Sequence, residues 1–108
     1  MWKPRLIALD VDGTLLDPET ERISAVVKAA VHRAVAGGGQ VVVSTGRTVL
    51  GVTPVLDELE LTSGFALCSN GAVRLDVDAR EAVSVETFDV GPVLAELLDR
   101  LPGVVFAA

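Results

Sequence analysis

Short apolar runs separate longer polar and amphipathic segments along the first two thirds of the chain. Three runs of four or five residues end abruptly at polar groups: Leu6–Leu9, Gln40–Ser44 and Phe65–Cys68. Such runs are too short for helices and are typical of buried strands. The pattern therefore predicts three buried strands.

A helix is predicted between the first two strands. Ser24 can cap a helix over Ala25–Ala36, in which Val27 and Val31 share one face, and Gly37 begins a triple glycine that ends it. A strand, a helix and a strand within about 40 residues form a βαβ unit, so the strands should be parallel.

The second half of the chain predicts mixed elements. A helix is expected within residues 48–60, with Thr53 and Pro54 as its cap and first regular position. Alternating residues 73–77 and 83–87 predict an antiparallel pair. An amphipathic helix follows, with its apolar positions at Leu94, Leu97, Leu98 and Leu101, and Pro102 stops it. Residues 104–106 should begin another strand.

Composition excludes several classes of function. The 108 residues carry 15 acidic and 9 basic side chains, a net charge of −6, which disfavours binding to nucleic acid or an anionic membrane. A single cysteine, Cys68, excludes an internal disulfide. The start of the sequence does not match a signal peptide, and no run of 18 apolar residues occurs, so we expect a cytoplasmic protein.

Polar groups follow each of the three predicted strands. Asp10 and Asp12 come after the first, Thr45, Gly46 and Arg47 after the second, and Asn70 after the third. Ligands of doubly wound α/β sheets bind at the carboxyl ends of parallel strands. We therefore expect these groups to converge at one end of the sheet.

The residue types at these ends favour phosphoryl transfer. Asp10 and Asp12 project the same way from an extended segment, and paired carboxylates favour a hard cation such as Mg²⁺ or Ca²⁺. Gly13 permits a sharp turn, while Thr45, Gly46 and Arg47 offer a hydroxyl, an accessible amide and a fixed positive charge to a phosphate.

Simpler interpretations of the same residues remain open. Asp10 and Asp12 could belong to a calcium loop, although Leu15 stands where that loop needs glycine, or to a plain acidic turn. The segment around Thr45 could be an ordinary strand-to-helix turn, and Asn70 with Gly71 an ordinary tight turn.

The segment from Asp10 to Asp17 (DVDGTLLD) strongly resembles the first motif of haloacid dehalogenase-like (HAD) phosphatases. Residues 41–47 (VVVSTGR) resemble the second motif in its Cof-type form, and residues 68–72 (CSNGA) resemble a third stretch of that subfamily. The resemblance implies a Rossmann-like α/β fold, with helices on both faces of a parallel sheet, followed by the start of an α/β cap. Residues 1–81 would then form the N-terminal part of the core, and residues 82–108 the beginning of the cap.

The resemblance also implies a Mg²⁺-dependent phosphatase acting on a small phosphorylated metabolite, such as a sugar phosphate, through an aspartyl-phosphate. Asp10 would be the nucleophile and Asp12 the general acid and base, with both as metal ligands. The phosphate- and substrate-binding residues would be Gly13, Thr45, Gly46, Arg47 and Asn70.

The family's remaining motifs lie outside this match. Lys3 and Lys28 are the only lysines, and neither stands where the family has its lysine; no second acidic pair follows. We therefore expect an N-terminal portion of a longer phosphatase. The alternative is a catalytically incomplete α/β chain that binds a cation or phosphate, or self-associates through open sheet edges.

Overall fold

The computed structural model describes residues 1–106 and contains one five-stranded sheet. Its elements, in chain order, are β1 (Leu6–Leu9), α1 (Ala25–Ala36), β2 (Gln40–Ser44), α2 (Val49–Glu58), β3 (Phe65–Cys68), a 3-10 turn (Ser69–Gly71), β4 (Val73–Asp76), β5 (Glu81–Val85) and α3 (Val90–Arg100). The strands lie in sequence order, β1 to β5.

The first three strands are parallel, as the βαβ pattern predicts. Leu6 pairs with Gln40 in the β1–β2 register, and Val43 pairs with Ala66 between β2 and β3. The carboxyl ends of β1, β2 and β3 therefore lie at the same end of the sheet. The predicted α/β sheet is confirmed.

Helices α1 and α2 lie side by side on one face of the sheet. The His32 Nε2 atom is 2.6 Å from the Leu59 carbonyl oxygen at the end of α2. Two successive crossovers of the same hand and direction place both helices on the same face. The strands bury alternate side chains beneath them, and the fully buried strand residues are Val43, Ala66, Cys68 and Leu75.

The opposite face of the sheet is open within the described part of the chain. Leu6 and Phe65 are exposed there, and the Arg74 guanidinium carbon lies 4.5 Å from the centre of the Phe65 ring. None of the side chains of α3 is buried. A second layer of helices is thus not among residues 1–106.

Helix α2 begins five residues earlier than the predicted position. Thr48 is its N-cap, with the side-chain oxygen accepting a hydrogen bond from the Gly51 amide, and Pro54 lies inside the helix. The prediction from Thr53 and Pro54 was wrong because a capping threonine already starts the helix. Leu50, whose carbonyl Pro54 cannot bond, is strongly exposed, so water can satisfy that group.

Two predictions in the second half of the chain also need correction. Strand β5 covers Glu81–Val85 rather than residues 83–87, because the hairpin turn ends at Arg80, which adopts a left-handed φ of 57°. Residues 104–106 are irregular, and Val105 is 93% exposed. An apolar run forms a strand only where a neighbouring strand pairs with it.

The domain boundary at residue 81 stays a prediction. Strand β5 starts at that position and pairs antiparallel with β4, so it continues the same sheet. Among residues 1–106, no helix has the length and apolar character needed to cross a membrane.

Candidate active site

A cleft of about 430 Å³ opens at the carboxyl ends of the three parallel strands. Asp10 contributes from the end of β1, Thr45 and Gly46 from the end of β2, and Asn70 from the turn after β3. The cleft brings together Asp10 and Asn70, which are 60 positions apart in the sequence. The remaining lining residues are Ala8, Leu9 and Ser44.

The loop after β1 is folded back by its own backbone hydrogen bonds. The Leu15 amide donates to the Asp10 carbonyl at 3.3 Å, and the Leu16 amide donates to the Val11 carbonyl at 2.9 Å. Gly13 has a φ of +76° with no atom near the position of a Cβ, so glycine is favoured there by backbone conformation rather than by lack of space. The buried side chains of Val11 and Leu15 fix this loop to the core.

Asp12 makes a two-point ion pair with Arg47, across 35 residues of sequence. The Arg47 Nε atom lies 3.0 Å from Asp12 Oδ2, and Nη2 lies 2.6 Å from Oδ1. This hydrogen bonding lowers the pKa of the Asp12 carboxyl below its ordinary value, because it stabilises the charged form.

The phosphate-binding candidates are held by a backbone network between the second and third strand ends. Thr45 is only 4% exposed, and its hydroxyl oxygen accepts a hydrogen bond from the Arg47 amide at 3.1 Å. The Asn70 amide donates to the Thr45 carbonyl at 3.0 Å, and the Ser69 amide donates to the Arg47 carbonyl at 2.8 Å.

The turn that carries Asn70 consists of three left-handed residues. Ser69, Asn70 and Gly71 have φ angles of 50°, 56° and 92°. A non-glycine residue in this conformation costs roughly 1 kcal/mol or more. The network around Thr45 holds the turn in place and directs Asn70 to the cleft.

The sequence-predicted residues thus fall into three groups. Asp10, Thr45, Gly46 and Asn70 line the cleft directly. Asp12 and Arg47 are joined to each other beside it, and Gly13 shapes the loop without lining the cleft. The chemical roles of these residues stay predictions.

Two features of the site were not anticipated from the sequence. Ser44, the last residue of β2, lines the cleft; it was not among the predicted site residues, although its place at the end of the second strand already indicated this. The Gly51 carbonyl accepts a hydrogen bond from Arg47 Nη1 at 3.2 Å. The spacing of four residues, which is one helical turn, could have indicated this contact.

The donor atoms present fit Mg²⁺ in part. Asp10 supplies a carboxylate, and no backbone hydrogen bond within residues 1–106 engages the Asp12 carbonyl oxygen. Across the described residues no group of three or more His, Cys, Asp or Glu side chains is placed to hold a metal. Mg²⁺ commonly binds to one or two protein carboxylates and takes its other ligands from water and phosphate.

The chain is similar to known hydrolases in both sequence and structure. The sequence profile of haloacid dehalogenase-like hydrolases matches residues 7–98. A haloacid dehalogenase-like hydrolase from Bacillus subtilis has a similar structure, with a TM-score of 0.73 and 33% identity, covering 86% of this chain and 32% of that one.

Several phosphatases are among the curated relatives, including one from Escherichia coli and one from Bacillus subtilis. The pyridoxal phosphate phosphatase YbhA of Escherichia coli is 34% identical over 86 residues, which are 80% of this chain and 31% of that protein. The 5-amino-6-(5-phospho-D-ribitylamino)uracil phosphatase YcsE of Bacillus subtilis is 41% identical over 68 residues, 63% of this chain and 26% of that protein. The chain spans about a third of the length of the curated relatives it matches.

Proposed function

Because the chain belongs to the haloacid dehalogenase-like hydrolases, we propose that its protein is a Mg²⁺-dependent phosphatase for a small phosphorylated metabolite. The observation that supports this most is the cleft in which Asp10 faces Thr45, Gly46 and Asn70. A carboxylate nucleophile opposite hydroxyl and amide groups matches the needs of phosphoryl transfer.

In the proposed reaction, an oxygen of Asp10 attacks the phosphorus of the ester, and the bond from phosphorus to the alcohol oxygen breaks. Asp12 gives its proton to that leaving oxygen. Asp12 then takes a proton from a water molecule, whose oxygen attacks the phosphorus. This second step releases inorganic phosphate and restores the Asp10 carboxylate.

The environment of Asp12 bears on its role as an acid. The Arg47 hydrogen bonds lower its pKa, which favours the ionised form. A phosphate dianion arriving in the cleft raises the proton affinity of nearby carboxylates, because like charges disfavour ionisation. The binding of substrate would therefore help Asp12 to carry the proton that it donates.

Mg²⁺ would be held by the Asp10 carboxylate and the Asp12 backbone carbonyl, where it supplies charge neutralisation for the phosphoryl oxygens. The Thr45 hydroxyl keeps its hydrogen free to donate, since its oxygen already accepts from the Arg47 amide. Thr45 and Gly46 would thus bind and orient the phosphoryl group.

The substrate class is supported by the relatives. YbhA is named for pyridoxal phosphate, and YcsE for a phosphoribityl compound. The test is hydrolysis of a panel of phosphate monoesters by the full-length protein with Mg²⁺, including pyridoxal phosphate and sugar phosphates. Acid-quenched samples should carry phosphate on Asp10. A panel without turnover, or a phosphate on another residue, would contradict the proposal.

A second candidate applies to the 108-residue chain by itself: phosphate and cation binding without turnover. The supporting observation is that residues 1–106 contain no group of three His, Cys, Asp or Glu side chains that could together bind a metal ion. Two aspartates near a phosphate dianion repel it unless further positive charge compensates. Comparing the turnover of this chain with that of the full-length protein separates the two candidates.

A further inference from the structure

The guanidinium of Arg47 hydrogen-bonds to the protein itself. Nε and Nη2 donate to the two oxygens of Asp12 at 3.0 and 2.6 Å, and Nη1 donates to the Gly51 carbonyl at 3.2 Å. Each of the three side-chain nitrogens therefore has a partner within the protein, and these bonds use three of the five guanidinium N–H groups. An arginine that binds a phosphate would normally direct this planar fork at the ligand.

The surroundings of Arg47 are shaped to hold it in this position. A Cβ atom on Gly51 would lie 3.3 Å from Arg47 Cβ, so the absence of a side chain at Gly51 leaves space for the arginine. The Arg47 amide is bonded to Thr45, and its carbonyl accepts from Ser69. Hydrogen bonds thus fix both the backbone and the side chain of Arg47.

A two-point pair fixes both the position and the plane of a carboxylate, which a single lysine contact cannot do. Asp12 lies in an exposed loop, with 61% of its side chain accessible. The loop backbone is fixed to the core, and the hydrogen bonds from Arg47 limit the motion of the Asp12 side chain. The pair spans two strand ends, so it also links the loop after β1 to the loop after β2.

We propose that Arg47 is a positioning residue that acts through Asp12 and does not bind the phosphate. This inference rests on the proposed function, because it assigns Asp12 the proton transfer. It differs from the role that the sequence resemblance implies for Arg47, which is contact with the substrate.

The leaving group gives the sharpest test. An alkyl phosphate needs a proton on its departing oxygen, whereas p-nitrophenolate leaves readily without one. In the full-length protein, Arg47→Lys keeps the charge but loses the two-point geometry. We expect the single-turnover rate of phosphoryl transfer from an alkyl phosphate to the enzyme to fall by about 10-fold or more, since losing the whole proton transfer would cost roughly 10²–10⁴-fold. KM for both substrates should not rise, and the single-turnover rate of this first step with p-nitrophenyl phosphate should change less than about twofold, because that leaving group needs no proton from Asp12.

A double-mutant cycle tests whether Arg47 acts through Asp12. In an Asp12→Asn background, Arg47→Lys should cause little further loss with the alkyl phosphate. Arg80→Lys is the matched control, since Arg80 also bonds a carboxylate, Asp57, and a carbonyl, that of Leu61, away from the cleft. Its kcat should stay at the wild-type value.

Contrary results would be equally clear. A KM raised about 10- to 100-fold on both substrates would make Arg47 a phosphate ligand and overturn the inference. Additive losses in the cycle would also overturn it. An inactive wild-type protein, by contrast, would contradict the proposed function first.

A readout without turnover keeps the inference testable in that case. The NMR signal of the Arg47 Nε–H group should be protected from solvent exchange in the full-length protein and lose that protection in Asp12→Asn. It should not shift on addition of inorganic phosphate. A shift with phosphate, or protection that survives Asp12→Asn, would show that Arg47 does not serve Asp12.

Discussion

The Oδ1 atom of Asn70 lies 3.1 Å from the point that a Cβ atom on Gly46 would occupy. This approach is tighter than ordinary van der Waals contact. Gly46 has no left-handed φ, so space rather than conformation favours glycine here. The absence of a side chain lets the turn after β3 close onto the loop after β2.

We predict that Gly46→Ala weakens phosphate binding more than it weakens the fold. The added methyl must displace the Asn70 carboxamide, at a cost of about 1 kcal/mol in stability. In an Asn70→Ala background the same substitution should cost less, because the obstructing oxygen is gone. Denaturant unfolding and phosphate titration of the wild type, the two single variants and the double variant check this. Equal costs in both backgrounds would show that the contact is unimportant.

Asp10→Asn should abolish turnover in the full-length protein. An amide oxygen is a poor nucleophile, and its loss of charge also weakens the metal site. Asp12→Asn should reduce kcat by roughly 10²–10⁴-fold, because it removes the proton transfer. Phosphate release from monoesters is the measurement, and Asp99→Asn on the exposed helix α3 is a control. Turnover that survives Asp10→Asn would refute the nucleophile assignment.

The 108-residue chain alone should hydrolyse p-nitrophenyl phosphate little, bind Mg²⁺ weakly and self-associate. The weak binding follows from the two available donors, and the association from apolar side chains on the open sheet face, such as Leu6 and Phe65. Calorimetry with Mg²⁺ and light scattering after size exclusion test both expectations. A stable monomer with Mg²⁺-dependent turnover that Asp10→Asn abolishes would contradict them.

Glu58 should make the stability of the fold sensitive to acid. Its hydrogen bonds from the Arg22 side chain and the Ile23 amide lower the pKa of this carboxyl in the folded state below its ordinary value of 4.5. The folded state then binds fewer protons than the unfolded state, so this stabilisation is present above pH 4.5 and is lost as pH falls through the lowered pKa.

The variant Glu58→Gln should be less stable than wild type at neutral pH, and the difference should shrink in acid. Thermal unfolding across a pH series measures it. Glu81→Gln, on the exposed strand β5, serves as the control and should follow the wild-type profile. A stability difference for Glu58→Gln that stays constant down to the lowest pH would exclude this linkage.

Pro54→Ala should stabilise the chain. Pro54 lies at the sixth position of α2, where it cannot donate to the Leu50 carbonyl. Alanine restores that hydrogen bond, and we expect a gain of about 1–2 kcal/mol after allowing for the greater freedom of the unfolded chain. Thr48→Ala, which removes the cap, should instead cost about 1 kcal/mol. The midpoint of unfolding should rise in Pro54→Ala and fall in Thr48→Ala; a lower midpoint for Pro54→Ala would contradict the prediction.

Local sequence determined the parts of this protein that depend on neighbouring residues. Ser24 caps α1 through the Val27 amide as its position predicts, and glycine ends that helix. Each of the three buried runs became a strand, and the strand ends carry Asp10, Thr45 and Asn70 to one cleft. Parallel order followed from the short βαβ unit, because a right-handed crossover leaves few other arrangements.

Tertiary structure decided what depends on residues far apart in the chain. The Asp12–Arg47 pair spans 35 positions, and no local pattern shows that the guanidinium faces a carboxylate instead of a ligand. The close approach of Asn70 to Gly46 likewise exists only once β2 and β3 are paired. Residues 104–106 are as apolar as a strand, yet they form none, because backbone hydrogen bonds to a neighbouring strand make a strand and sequence alone does not supply them.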